Sequence, residues 1–182
     1  PQKALYLSGD HWFRSGRLKN IDIQFMNAGG VLFGVKDYVP ALESYMQRYG
    51  AELNFFHNLV AIDGPGKKAT FEVKKPDAEP ETVTVDFDMI HVTPPQTAPD
   101  FVRVSPLADA AGWVDVDPAT LQHKRYANVW SLGDAMNAPN AKTAAAARKQ
   151  APVVADNIVA DIRGKSAVAQ YDGYGSCPLT VE

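Results

Sequence analysis

Apolar and polar positions alternate along Ile21-Asp22-Ile23-Gln24-Phe25-Met26, the pattern of a strand buried on one face. Upstream, residues 3–15 can form a short helix that turns Leu5, Trp12 and Phe13 toward a core and stops at Ser15-Gly16. Downstream, Asn27-Ala28-Gly29-Gly30 leads to a helix from about Asp37 to Arg48. Tyr38, Leu42, Tyr45, Met46 and Tyr49 recur there at three- and four-residue spacing, which predicts a packing face. Leu53-Asn54-Phe55-Phe56 reads as a second strand. Ala69–Val73 and Val83–Phe87, joined by a proline- and acid-rich turn, predict an antiparallel hairpin rather than another βαβ unit. Met89-Ile90-His91-Val92 is expected as a last strand before Pro94-Pro95. Strand, helix, strand, meander, strand is the order of a Rossmann-like α/β domain with an inserted β-meander.

From Pro94 onward the pattern loosens. Residues 94–125 are rich in proline and turn residues, with a short hairpin expected around Val114 to Leu121. Val129 to Leu132 reads as a short apolar strand ending in Gly133-Asp134. A polar loop then reaches Lys142-Thr143 and the run Ala144-Ala145-Ala146-Ala147, which opens a helix. Ala144, Ala147, Ala151, Val154, Ile158 and Ile162 fall on one face of it, and Pro152 predicts a kink or a break. The tail after Gly164 is loop-like and contains the one cysteine, Cys177. The pattern divides the chain into residues 1–93 and 94–182.

Composition narrows the function more than it names it. The 182 residues, 46% hydrophobic and 21% charged, are ordinary for a globular protein with a real core. A net charge of −3 with scattered basic residues gives no footprint for nucleic acid. No apolar run reaches bilayer-spanning length, and no signal peptide opens the sequence. The start at Pro1-Gln2 without Met suggests a processed or cut chain. A single cysteine rules out a disulfide within the chain, and the four histidines lack ligand spacing, so no metal is implied.

The strongest chemical signal is Gly133-Asp134 followed by the alanine-rich helix. Glycine lets a ligand approach the backbone, and the aspartate puts an ionised acceptor at the end of the strand. The helix N-terminus adds unsatisfied N–H groups and partial positive charge. This suits a cofactor with hydroxyls at one end and a polar ring at the other, such as a flavin with its ribityl chain. Gly-Asp after a strand is also a common turn, and the residues alone leave both readings open.

The segment resembles the C-terminal flavin motif of the two-dinucleotide-domain flavoproteins. His91-Val92-Thr93-Pro94-Pro95, the run from Pro106 to Asp117, Thr120-Leu121-Gln122-His123 and Tyr171-Asp172-Gly173-Tyr174-Gly175-Ser176-Cys177-Pro178-Leu179 sharpen the likeness. They resemble, in order and over essentially the whole chain, the sulfide:quinone oxidoreductases of the type shared by bacteria and mitochondria. The resemblance implies a nicotinamide-type domain over 1–93, here without a nicotinamide cofactor, and the return segment of an FAD-binding domain over 94–182. It implies FAD held by Gly133, Asp134, Lys142 and Thr143, with Lys142 beside the pyrimidine edge of the ring and Pro94 and Pro95 shaping its pocket. It also implies that Cys177 is one of two redox cysteines, the other lying before the segment that Pro1-Gln2-Lys3 matches. The parent would pass electrons from sulfide through FAD to a quinone, as a peripheral protein of a bacterial inner or mitochondrial membrane.

One element of such a flavoprotein is missing. No G-x-G-x-x-G turn for the ADP pyrophosphate occurs, and the glycines of Asn27-Ala28-Gly29-Gly30-Val31-Leu32-Phe33-Gly34 are wrongly spaced, which favours a packing loop. The chain alone is therefore expected to be a truncated portion, inactive and weak in holding FAD. Asp109, Asp115 and Asp117 are expected to fix turns. Without the resemblance, a lone cysteine such as Cys177 reads as an inert thiol, whereas its polar, turn-forming surroundings and the family match favour the redox role. Two other readings stay open: a related flavin oxidoreductase with a cytochrome or nicotinamide nucleotide as partner, and a non-catalytic binding module.

Overall fold

The computed structural model describes residues 2–140 and 142–182, so Pro1, the start of the matched segment, lies outside the described residues. The chain forms two compact units, one of residues 2–93 together with 179–182 and one of residues 94–178.

In the first unit, helix α1 (Gln2–Arg14) buries Tyr6 completely. The expected inward residues differ: Trp12 is half-buried, and Phe13 is 48% exposed, with the Arg48 guanidinium 5.0 Å from its ring centre. Tyr6 takes the interior place because its hydroxyl donates to the Leu42 carbonyl at 3.3 Å, so burial leaves its polar tip a partner. That burial pushes the phenol pKa up to about 12. Strand β1 (Ile23–Asn27) pairs in parallel with β2 (Ala51–Phe55), Phe25 opposite Leu53, and helix α2 (Val39–Arg48) crosses between them. This is the βαβ unit that alternation and spacing predicted. Leu42, Met46 and Tyr49 are buried as expected, but Tyr38 lies in the short 3-10 turn before α2 and is exposed.

Three antiparallel strands follow, β3 (His57–Asp63), β4 (Lys68–Val73) and β5 (Glu81–Asp86), in that spatial order. The central strand alternates cleanly, with Ala69, Phe71 and Val73 buried. β3 is obscured in the sequence because its register slips between Leu59 and Ala61. Gly30 is a glycine for packing, since a Cβ there would lie 2.4 Å from the Phe56 ring. The expected strand over Met89–Val92 is absent. The segment is irregular, Met89 is exposed, and it pairs with no strand among the described residues.

The second unit holds little regular structure besides helix α3 (Asp100–Arg103) and helix α4 (Ala144–Ile162). Its apolar centre comprises Val114, Val116, Leu121, Met136, Val153, Val154 and Tyr171, among others. The expected hairpin at 114–121 is replaced by isolated bridges, Ala108 to Val114 and Val116 to His123. The expected strand at 129–132 reduces to one bridge, Trp130 to Gln122. α4 runs through Pro152, which is exposed, without a break. Its buried face is Ala146, Gln150, Val153, Val154, Asn157 and Ala160, rotated from the expected one, so that Ala151 and Ile162 are exposed. The rotation follows from two buried amides, Gln150 and Asn157, which a count of apolar positions places outside.

No helix among the described residues is long and apolar enough to cross a membrane.

Candidate functional site

The site grows from the backbone between Leu132 and Met136. Leu132 is extended, Gly133 has φ +71°, and Gly133–Ala135 form one 3-10 turn. A side chain would be strained in that left-handed conformation, which explains the glycine. The turn is then held by α4. The Gly133 N–H donates to Gln150 Oε1 at 2.7 Å. The Lys142 ammonium donates to the carbonyls of Asp134 at 2.8 Å and Met136 at 2.7 Å.

Lys142 Nζ also lies 3.8 Å from the centre of a Trp113 ring. Burial lowers its pKa from the ordinary lysine value, with the charges of Asp134 and Asp109 pulling the other way. Thr143 is extended and caps α4, its hydroxyl accepting from Ala146 N–H at 3.2 Å. Helix geometry gives the N–H groups of Ala144 and Ala145 no acceptor inside the helix. The Asp134 side chain is exposed. A left-handed glycine, an outward carboxylate and an open helix mouth beside a cation together fit the hydroxylated chain and polar ring edge of a flavin.

The turn thus gathers Gly133, Asp134, Lys142 and Thr143. Pro94 and Pro95 are exposed on an irregular stretch, and Cys177 is exposed in the irregular tail. The tail is anchored upstream of Cys177. Asn157, fully buried, donates to the carbonyls of Thr120 at 3.1 Å and Ala169 at 2.9 Å. It accepts from the N–H groups of Val168 at 2.8 Å and Ala169 at 2.9 Å. Tyr171 is buried, its hydroxyl donates to the Tyr174 carbonyl, and Lys149 lies against the Tyr174 ring.

Three aspartates organise loops. Asp109 accepts from the N–H groups of Ala111 and Trp113, and Asp117 from those of Ala119 and Thr120. Asp115 pairs with Lys124 at 2.7 Å and accepts from Asn137. His123 is buried, with its Nδ1 accepting from Arg125 and Tyr126 N–H groups and its Nε2 facing the Leu107 carbonyl. Among the described residues no group of three or more His, Cys, Asp or Glu is placed to hold a metal ion. A shallow recess of about 200 Å³, lined by Pro118, Ala119, Pro139, Asn140, Tyr171 and Gly173, contains none of the sequence-predicted site residues.

Sequence reasoning missed Gln150, Asn157 and the contact of Trp113 with Lys142. The available signal was an amide at positions 150 and 157, seven residues apart and so on one face of an otherwise Ala- and Val-rich helix.

The architecture is α/β, and it is shared with solved structures. It superposes on a sulfide:quinone oxidoreductase from Aquifex aeolicus with a TM-score of 0.71, 19% identity, and coverage of 89% of this chain and 40% of that one. A chain in the mitochondrial ATP synthase of Tetrahymena thermophila superposes with a TM-score of 0.72 and 28% identity, covering 87% of this chain and 37% of that one. In sequence, the mouse mitochondrial sulfide:quinone oxidoreductase is 41% identical over 179 residues, 98% of this chain and 39% of the relative. This chain is a relative of the sulfide:quinone oxidoreductases along almost its entire length, and it spans about two fifths of the curated relative it matches. No family model matches it.

Proposed function

We propose that this chain is the C-terminal portion of an FAD-dependent sulfide:quinone oxidoreductase. The observation that carries the reading is the Gly133–Asp134 turn, tied to α4 through Gln150 and to the loop before α4 through Lys142, with its carboxylate outward, in a chain related to that family along 98% of its length. Asp134 would accept from the ribityl hydroxyls, and the mouth of α4, capped by Thr143, would face the polar ring edge. Lys142 would supply positive charge beside that edge, and Pro94 and Pro95 would shape the pocket. Bound FAD would supply a two-electron acceptor between sulfide and quinone.

Cys177 would act as one half of a disulfide: sulfide would attack the S–S bond, leaving one sulfur as a persulfide and releasing the other as a thiolate. Its redox partner would be a cysteine elsewhere in the parent. With no G-x-G-x-x-G in this chain, FAD retention by the chain alone should be weak. A quinone acceptor would place the parent at a membrane surface, in mitochondria or a bacterial inner membrane.

The test is anaerobic mixing of full-length Cys177→Ser protein with sulfide while following flavin absorbance. The variant should retain flavin yet lose sulfide-driven bleaching, because a hydroxyl can neither form a disulfide nor carry sulfane sulfur. Bleaching at the unmodified rate would remove Cys177 from the reaction.

A second reading has one observation in its favour. The Tetrahymena neighbour belongs to an ATP synthase assembly, so this fold also serves as a component of a larger complex. A full-length protein that carries no flavin absorbance would favour that non-catalytic role.

A further inference from the structure

We propose that Gln150 is the positioning residue of the Gly133–Asp134 turn, holding the Asp134 carboxylate in place before a ligand arrives; the proposal rests on reading that turn as the flavin anchor. A left-handed glycine has many other conformations within reach, so its backbone stays in one of them only if something ties it. The tie is the Gln150 carboxamide, whose Oε1 accepts the Gly133 N–H at 2.7 Å. Gln150 is fully buried, two turns inside α4, and so moves with the helix rather than with the loop.

The arrangement carries a penalty. Gln150 Nε2 is buried with no hydrogen-bond partner among the described residues. Flipping the amide would not relieve it, because an N–H would then face the Gly133 N–H. Leucine or methionine would fill the same space without an orphaned donor. A buried glutamine with one end unsatisfied is therefore poor packing, and the end that is satisfied grips the one residue whose conformation aims Asp134. Lys142 completes the hold by taking the carbonyls of Asp134 and Met136. Between them, Gln150 inside α4 and Lys142 just before it engage the turn's backbone and leave the Asp134 side chain outward.

A double-mutant cycle on the full-length protein tests this, with FAD dissociation read from the fluorescence of released flavin and folding from the melting temperature of the apoprotein. Q150M should weaken FAD binding about tenfold in the presence of Asp134, the loss expected for one well-placed hydrogen bond. In a D134A background the same change should cost less than about twofold, because the group being positioned is gone. Equal losses in both backgrounds, or no loss from Q150M, would overturn the proposal. Should Q150M fail to fold, Q150E keeps an oxygen for the Gly133 N–H and should bind FAD within about threefold of the unmodified protein; a tenfold loss there also overturns it. If D134A alone leaves FAD binding unchanged, the flavin reading of the turn falls and this proposal falls with it.

Discussion

In the first unit the interior is apolar and aromatic, with Tyr6, Phe25, Leu32, Leu42, Met46 and Tyr49 forming one cluster under α1, α2 and the β1–β2 pair. In the second unit the fully or nearly fully buried residues include Gln150, Asn157 and His123, each bonded to backbone. Regular ladders hold the first unit, whereas side-chain-to-backbone bonds stitch together the loops of the second. The difference is what one expects when extended segments lack strand partners. Their buried N–H and C=O groups must still be satisfied, and Asp109, Asp117, Asn137 and Asn157 satisfy them one by one. Damage in the first unit should therefore spread through a shared cluster, while damage in the second should stay close to the residue removed.

The largest effect is expected at Asn157. Asn157→Leu would leave the carbonyls of Thr120 and Ala169 and the N–H groups of Val168 and Ala169 without their partner, at a combined cost of about 3–5 kcal/mol. Hydrogen exchange should accelerate at Val168 and Ala169 while α2 stays protected. A destabilisation under about 1 kcal/mol in urea titration would show that the amide is dispensable.

Met46→Ala sharpens the contrast from the other side. Met46 is 1% exposed at the centre of the first cluster, and truncation should cost about 3 kcal/mol. Exchange should rise together across β1, α2 and β2. If it rises only around position 46, the first unit is no more cooperative than the second.

Asp117 gives the smallest effect, with a pH signature. The Thr120 N–H chiefly, then the Thr120 hydroxyl and the Ala119 N–H, hold its carboxyl below the usual carboxylate range, against a smaller opposing push from burial. A depressed folded pKa contributes stability that is fully present above the ordinary aspartate value and lost as pH falls through the folded one. Asp117→Ala should cost about 1 kcal/mol at neutral pH, with the gap in melting temperature closing in acid. A gap that stays constant down to strong acid would mean that the charge of Asp117 contributes nothing to the turn.

Much of this was readable along the chain. The elements of the β1–α2–β2 unit, the β4–β5 hairpin and the aspartate turns each depend on residues within a few positions of one another, and their periodicity or side-chain chemistry declares them. The Gly133–Asp134 turn was legible for the same reason. Phe13 and Tyr38 misled because apolar character at the right spacing does not say which ring finds room inside.

What required the folded molecule was every choice made between distant residues. Whether Val129–Leu132 and Met89–Val92 become strands depends on an edge to pair with, and a strand's own sequence cannot supply one. Whether Gln150 and Asn157 face inward depends on partners at Gly133, 17 positions away, and at Thr120, 37 positions away. Local propensity places a polar side chain in water. A hydrogen bond waiting inside reverses that preference, because a buried amide is tolerated where it is bonded and costly where it is not.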